Sequence, residues 1–227
     1  MISAPVIGTI TITLQPELVF SLIIMATMSI FFIYVGSKVK KADPLGRPSG
    51  IVLAAEVGVE MIYNYMKSIM PGKFEKNYYP YFAMIFIYLL FANLSGLIGF
   101  DAPTSNYSIT LAITLITFSL IQWNAFKKKG GFNYIKDIIW PPTNIPGLFA
   151  PLISLSMRLF GNVMSGTILM GLIYSFTGWL SGFLMPFNFL GPIITPLLHC
   201  YFDVFAGFIQ TLVFVTLSSI LIAVEAE

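Results

Sequence analysis

Long apolar runs, separated by short polar segments, follow one another along the chain. A run of about 20 apolar residues is long enough for a helix to cross the hydrocarbon of a bilayer, so the pattern predicts five membrane-spanning helices. The predicted spans cover residues 17–36, 78–100, 107–126, 147–177 and 188–223. The last two exceed the length of one perpendicular crossing, and we therefore expect two long, steeply tilted helices.

One polar stripe distinguishes residues 51–70 from the five apolar runs. Glu56, Glu60, Asn64 and Lys67 recur every three or four residues, which places them on one face of a helix. Such an amphipathic helix fits the membrane surface, or the outside of other helices, better than it fits a lipid-facing span. A solvated edge is the simplest explanation of the stripe.

The composition is that of a protein embedded in lipid. Of the 227 residues, 57% are hydrophobic and 10% are charged, whereas soluble domains carry about 25% charged residues. We therefore expect one all-α integral membrane domain over residues 1–227, with the lipid bilayer as its surroundings. The net charge of +2 gives no reason to expect nucleic acid as a partner. Because Cys200 is the one cysteine, an internal disulfide and a multi-cysteine metal site are excluded, and no cofactor is predicted.

The basic residues predict the orientation of the chain. Eleven of the twelve Lys and Arg residues fall on one side of the predicted spans. By the positive-inside rule this side is the cytoplasm, so the N-terminus lies outside, while Glu225 and Glu227 lie inside with the C-terminus. The outer side carries only the acids Glu17 and Asp101. No Lys or Arg precedes the first apolar run, and we expect that run not to be a cleaved secretory signal.

The twelfth base, Arg158, lies inside the fourth apolar run. An arginine at the centre of a bilayer costs about 2.5 to 3.5 kcal/mol on insertion scales, so it normally faces protein or water. Small and polar residues share its helical face, at spacings of three and four: Ser154, Gly161, Asn162 and Ser165. Small residues beside a permanent cation let another helix approach closely, and we infer that Arg158 faces a partner.

A second interpretation of Arg158 is that its side chain snorkels to the membrane surface. If Pro151 begins the helix, the arginine lies only about 10 Å from its start. Polar headgroups would then be within reach of the guanidinium.

The last apolar run contributes a second polar set. His199, Asp203 and Gln210 are four and seven residues apart and are expected to share one helical face, with Gly207 between them. A buried aspartate relays charge only if water, a cation or Arg158 is close, and a structural hydrogen bond is the alternative role for Asp203. Gln210 does not titrate, so it is predicted to bridge helices or to line a water path.

His199 has further interpretations that the spacing leaves open. It is either part of an ion relay or the donor of a hydrogen bond to a carbonyl. His199 and Asp203 could also be two ligands of a metal, but the chain has no other histidine to complete such a site.

The arginine segment carries a resemblance to a known family. Residues 156–162 read SMRLFGN and are followed by Ser165 and Gly166, which resembles the RLFGN motif of the a subunit of F-type ATP synthase. Further likenesses are FANLSGL at 91–97, NYSITLA at 106–112, and Gln210 with Phe214. The resemblance covers most of the chain after Pro44, and its arginine motif is highly specific.

The likeness implies a non-catalytic stator subunit that offers two ion half-channels to a rotating ring of c subunits. Its implied partners are the c-subunit ring, the peripheral-stalk b subunits and the rest of the ATP synthase complex, in a bacterial plasma membrane. Arg158 would attract the essential carboxylate of the ring, force it to release its ion, and separate the half-channels. The translocated ion is then H⁺ or Na⁺, of which H⁺ is the more frequent in the family.

Two departures from the family pattern affect the predicted site. Thr167 stands where relatives often place a histidine or a carboxylate, and the usual partner position on the last helix is here Asp203. We therefore expect Asp203 to carry the outer half-channel relay, with His199 and Asn162 helping it. For the inner half-channel the candidates are Glu56 and Glu60.

Two other classes of protein compete with this interpretation. A small secondary transporter would use Arg158 to bind an anionic substrate and Asp203 to couple it to protons. Such folds usually show inverted repeats and broken helices, and neither is evident here. A membrane-embedded enzyme lacks a catalytic constellation in this sequence.

Overall fold

The computed structural model describes the chain over most of its length. The described residues are 15–41, 49–70, 74–100, 102–131, 134, 136, 138, 141, 144–183 and 187–226. The predicted linker at 43–48, the outer acid Asp101 and the terminal Glu227 lie outside them.

All regular structure in the described segments is helical. The α-helices are α1 (Pro16–Lys41), α2 (Gly50–Ile69), α3 (Phe74–Leu94), α4 (Tyr107–Lys129), α5 (Asn144–Gly182), α6 (Gly191–His199) and α7 (Gly207–Ala226). Short 3₁₀ turns cover Ser95–Ile98 and Pro103–Ser105, and a π-helical segment covers Cys200–Ala206. The π segment joins α6 to α7 without a break, and we call residues 191–226 the C-terminal helix.

Five of these helical stretches are long and apolar enough to cross a membrane. They are Pro16–Lys41, Tyr78–Leu97, Tyr107–Lys129, Asn144–Gly182 and Gly191–Glu225. The predicted all-α membrane class and the predicted five apolar helices are thereby confirmed. The steep tilt of the last two helices stays a prediction.

Glycines end two of the helices but not α1. Gly99 and Gly130 have φ angles of 86° and 75°, which residues with a Cβ rarely adopt, and they close the ends of the second and third spans. Gly36, where the predicted first span stops, lies inside α1, which continues to Lys41. A glycine weakens a helix by about 1 kcal/mol but does not have to end it.

Buried hydroxyl and amide groups join α3 to α4. The inward face of α4 carries Thr110, Thr114 and Thr117, all fully buried. The hydroxyl groups of Tyr81 and Thr117 lie 2.8 Å apart, and the Tyr78 hydroxyl donates to Oδ1 of Asn124 at 2.6 Å. Small polar residues that hydrogen-bond between closely packed helices are typical of membrane interiors.

Helix α2 packs against the C-terminal part of the bundle. Its buried side chain Met66 accepts a hydrogen bond at Sδ from Ser219, and Tyr65 hydrogen-bonds to Thr216, so α2 is held against α7. The polar stripe points away from this contact, since Glu56, Glu60, Asn64 and Lys67 are all exposed.

The longest helix, α5, has 39 residues and contains Pro151. At 1.5 Å per residue it is about 58 Å long, whereas the hydrocarbon of a bilayer is about 30 Å thick. Its main packing partners are α4 and the C-terminal helix. Pro151 is tolerated because neighbouring groups in a packed membrane helix can replace its missing hydrogen bond.

Candidate functional site

Arg158 lies close to the middle of α5. The helix begins at Asn144, so Pro151 is inside the helix and does not start it. Arg158 follows Asn144 by 14 residues, which is about 21 Å along the axis. The snorkelling interpretation assumed that Arg158 lies about 10 Å from the start of its helix. This assumption is wrong, because the helix begins at Asn144, and Arg158 lies far from both helix ends.

Helix α5 has one buried and one open face. Leu155, Leu159, Gly166 and Met170 are buried against the bundle. The residues that were predicted to share a face with Arg158 lie on the open side: Ser154, Gly161 and Ser165 are exposed and Asn162 is half-buried. A side chain added at Gly161 would meet no atom within 4 Å. The open stripe thus offers room for another helix.

Arg158 has no partner in the described part of the chain. Its side chain is half-buried, yet none of the described carboxylates lies within 4.0 Å of it. A half-buried cation without a counter-charge is costly in a membrane, so the arrangement favours a carboxylate partner that is not among the described residues.

The predicted pair on the C-terminal helix is in direct contact. Nδ1 of His199 lies 2.6 Å from Oδ2 of Asp203, and the two side chains are 32% and 22% exposed. On its other side, Nε2 of His199 lies 2.9 Å from the hydroxyl oxygen of Tyr174 on α5. Within the described segments no third His, Cys, Asp or Glu joins the pair to form a metal site. The three side chains form a continuous hydrogen-bonded row.

The π-helical segment Cys200–Ala206 holds Asp203 at the point where three helices meet. A Cβ placed on Gly96, in the 3₁₀ turn after α3, would lie 3.7 Å from Cγ and from Oδ2 of Asp203. A Cβ placed on Gly166 would lie 3.8 Å from Cβ of Phe202, so α5 also approaches closely. π turns are rare and occur frequently at functional sites.

Gln210 was expected to share a helical face with His199 and Asp203. It is buried, with 8% of its surface exposed, and its Nε2 has no hydrogen-bond partner in the described part of the chain. The wider π turn changes the helical register after Asp203, because each of its hydrogen bonds spans five residues instead of four. The expected common face of Asp203 and Gln210 assumed a regular α-helix.

Thr167 is turned away from the arginine stripe. Its hydroxyl donates to the carbonyl oxygen of Val163 at 3.1 Å, so it is used within α5. At 100° per residue, Thr167 lies on the opposite side of α5 from Arg158.

A buried amide fixes the second span to the C-terminal helix. Nδ2 of Asn93 donates to the carbonyl oxygen of Gly207 at 3.1 Å and to the hydroxyl of Thr211 at 3.3 Å. Thr104 donates to Oδ1 of Asn93 at 3.0 Å. Nδ2 thus makes two donor bonds and Oδ1 accepts one, which fixes the position where the π segment ends.

A polar cleft of about 380 Å³ lies between the C-terminal ends of α4 and α7 and the start of α5, next to Lys129. Glu225, Gln122, Tyr134 and Pro151 are among its lining residues. The Tyr134 hydroxyl donates to Oε1 of Gln122. Burial raises the pKa of the Tyr134 phenol, and the Glu225 carboxylate adds to the rise, so the phenol stays a hydrogen-bond donor at neutral pH.

Two of these features were not found from the sequence. Tyr174 lies 25 residues from His199, on a different helix, and nothing in the spacing connects them. The cleft combines residues from three helices and a loop, so no single periodic pattern marks it. Gly96 and Asn93 were noted only as part of the FANLSGL likeness.

Comparison with known proteins places the chain among membrane subunits of one complex. The profile of the family described as ATP synthase A chain matches residues 18–223. ATP synthase subunit a of Mycoplasma genitalium is 34% identical over 220 residues, which cover 86% of this chain and 74% of the relative. The sodium-ion-specific subunit a of Propionigenium modestum is 28% identical over 188 residues, covering 72% of this chain and 60% of the relative. Subunit a of Chlorobium phaeobacteroides is 28% identical over 232 residues, which cover 97% of this chain and 67% of the relative.

Proposed function

The chain belongs to the ATP synthase A chain family, and we propose that α5 presents Arg158 to a rotating ring of c subunits. Family membership makes the chain the non-catalytic ion-channel subunit in the membrane sector of a bacterial F-type ATP synthase. It also removes the secondary transporter and the membrane enzyme as interpretations of this sequence.

One observation carries the proposed role of Arg158. The arginine lies near the middle of a 39-residue helix, on its open face, with no counter-charge among the described residues. A fixed cation at this depth favours the ionised form of a ring carboxylate that arrives beside it, so the carboxylate releases its ion. The same charge repels cations and keeps ions from leaking directly between the half-channels.

The outer half-channel is proposed to end at Asp203. Asp203 contacts His199, lies against Gly96 and is partly exposed. In the proposed half-channel, water would reach the carboxylate on this exposed side. Asn162 lies on the arginine stripe and would meet ions passing between Asp203 and the ring. Gln210, with its unpartnered buried amide, would bind water or a ring side chain beside this path.

The inner half-channel is proposed to start in the cleft beside Glu225. Pro151 lines this cleft and lies seven residues before Arg158, which is about 10 Å along α5. A polar cleft therefore reaches to within two helical turns of the arginine. Glu56 and Glu60 are the second candidates, and they lie on the exposed face of α2.

The remaining partners follow from membership of the complex. We propose that the c-subunit ring covers the arginine stripe and that the peripheral-stalk b subunits and lipid cover the apolar outer surface. The excess of basic residues near one membrane face favours an outside N-terminus and a cytoplasmic C-terminus.

The role of Arg158 is tested by ATP-driven ion pumping. Inverted membrane vesicles that contain the whole complex with Arg158→Ala are compared with wild type, and ATPase activity and subunit assembly are measured alongside. We expect a complex that assembles but does not pump, because the ring carboxylate is no longer driven to release its ion. Pumping near the wild-type rate would show that Arg158 has no part in translocation.

A matched control comes from the same helix. Ser154 lies one turn from Arg158 on the open stripe, and Ser154→Ala removes a hydroxyl without changing charge. This variant is expected to pump at close to the wild-type rate. If Ser154→Ala and Arg158→Ala reduce pumping to the same extent, altered packing of the stripe explains the loss and the charge of Arg158 does not.

A further inference from the structure

The C-terminal end of α4 carries three consecutive exposed lysines, Lys127, Lys128 and Lys129. None of the described carboxylates lies within 4.0 Å of the ammonium groups of Lys127 and Lys128. The unpaired carbonyl groups at a helix C-terminus favour nearby cations, but they amount to only about half an elementary charge. Lys127 and Lys128 therefore remain available to an anion.

Two stacked rings, those of Trp123 and Phe126, lie next to the lysines, and we call them the aromatic shelf. Their centroids are 6.2 Å apart and their planes differ by 15°. Phe126 is held in place, because its ring meets that of Tyr134 edge-on at 5.8 Å, and a Cβ placed on Gly131 would lie 2.9 Å from its Cζ. Trp123 is 55% exposed. The shelf is thus a supported apolar surface that is open to its surroundings.

Lys127 connects the lysines to the aromatic shelf. Its Nζ lies 5.3 Å from the centroid of the Trp123 ring, which is within the range of a cation–π interaction. Tryptophan is enriched where the hydrocarbon meets the headgroups, and lysines near the ends of membrane helices extend to the headgroups. The pair therefore places an ammonium at the level of the lipid phosphates and a ring at the level of the upper acyl chain.

We propose that Lys127, Lys128 and the aromatic shelf bind one anionic phospholipid. Its phosphate contacts the two ammonium groups, and its upper acyl chain packs on Trp123 and Phe126. An ammonium has three N–H donors, so Lys127 can face the ring and the phosphate together. Basic segments at the ends of membrane helices attract the anionic lipids of the cytoplasmic leaflet. The inference goes beyond the proposed function, because lipid binding here does not depend on Arg158 or on the ring of c subunits.

The end of α1 provides a matched comparison. Lys40 and Lys41 are exposed in its last turn, at the same predicted membrane face as the lysines of α4. Neither contacts an aromatic ring in the described segments, whereas Lys38 lies over the ring of Tyr34 at 5.1 Å. Lys40 and Lys41 thus supply the same charge without a shelf for the acyl chain.

The site is tested by photolabelling of the whole complex in phosphatidylcholine vesicles that contain a small fraction of photoactivatable phosphatidylglycerol. Mass spectrometry of the peptides is expected to find the label at residues 123–129. Replacing both lysines, by Lys127→Gln with Lys128→Gln, should lower this labelling about tenfold, because both phosphate contacts are lost. Lys127→Arg with Lys128→Arg keeps the charge and should keep the labelling. Trp123→Leu should lower it by a few-fold, because the cation–π contact is lost.

The control pair, Lys40→Gln with Lys41→Gln, is expected to leave labelling at residues 123–129 unchanged. If it lowers the labelling as much as the α4 pair does, diffuse surface charge attracts the lipid and the proposed site is wrong. Equal labelling by photoactivatable phosphatidylcholine would also overturn it, as would cross-links from this segment to a protein subunit without any lipid label. Loss of the label in excess inorganic phosphate would indicate a site for free phosphate instead. Should the α4 glutamine pair fail to assemble, the ratio of labelling by the two lipids in the wild-type complex decides.

Discussion

The side chain of Asn93 packs directly on the backbone of Gly207, where the second span meets the C-terminal helix. A Cβ placed on Gly207 would lie 3.0 Å from Cβ of Asn93, and Nδ2 of Asn93 donates to the Gly207 carbonyl oxygen at 3.1 Å. Gly207 directly follows the π segment that carries Asp203. The contact therefore fixes the end of the segment that carries Asp203 as well as the packing of two helices.

The first prediction concerns this contact. Gly207→Ala would press a methyl group against Asn93 and is expected to destabilise the subunit by about 1 to 3 kcal/mol, because the buried neighbours have little room to move. Thermal unfolding of the detergent-solubilised complex measures the effect. Gly171→Ala is the control, since a Cβ there meets no atom within 4 Å. Equal melting temperatures for the two variants would contradict the close packing.

A second prediction separates the stability of the chain from its contact with the ring. Gly161→Leu adds a bulky group to the open stripe, where a Cβ meets nothing within 4 Å. The isolated subunit should therefore keep its stability, while co-purification of the c ring and ATP-driven pumping are reduced. Gly171→Leu serves as the control, because Gly171 lies outside the stripe. Normal ring binding by Gly161→Leu would place the ring on another face.

The third prediction concerns the inner half-channel. Glu225→Gln removes the carboxylate of the cleft and is expected to lower passive proton conductance of vesicles stripped of the soluble ATPase head, by a few-fold. Glu56→Gln and Glu60→Gln are measured in parallel, since both acids are exposed on α2. If proton conductance falls only in the α2 variants, the inner half-channel runs along α2 and not through the cleft.

The fourth prediction concerns orientation. In a chain whose own thiol is removed by Cys200→Ser, Glu17→Cys should react with a membrane-impermeant maleimide added to intact cells. Lys128→Cys, at the exposed end of α4, should react only in inverted vesicles. The opposite pattern of labelling would reverse the proposed topology.

Periodic features were predictable from the sequence. The five apolar helices follow from hydrophobic length alone, and the stripe of Arg158 and Gly161 follows from spacings of three and four on a regular helix. The pairing of His199 with Asp203 was predictable for the same reason, since the two residues are one α-helical turn apart. Local geometry is sufficient for each of these features.

Other features depend on contacts between helices or on irregular backbone. The distance from Tyr174 to His199 is set by the packing of α5 on the C-terminal helix, which no one-dimensional pattern encodes. The π segment has no known marker in its residues, so the predicted common face of Asp203 and Gln210 assumed a regular α-helix. Only the snorkelling interpretation placed a helix start at Pro151, a position that proline favours, and membrane packing tolerates this proline inside α5.

The π segment divides the C-terminal helix into two parts with different rotational phase. A turn that contains an additional residue offsets every side chain after Ala206 about the helix axis, relative to those before Cys200. The outer part can therefore direct His199 and Asp203 toward α5 and the second span, while the inner part independently directs Ser219 toward α2 and Glu225 toward the cleft. One continuous helix thus presents the residues of the proposed outer and inner half-channels in two different directions.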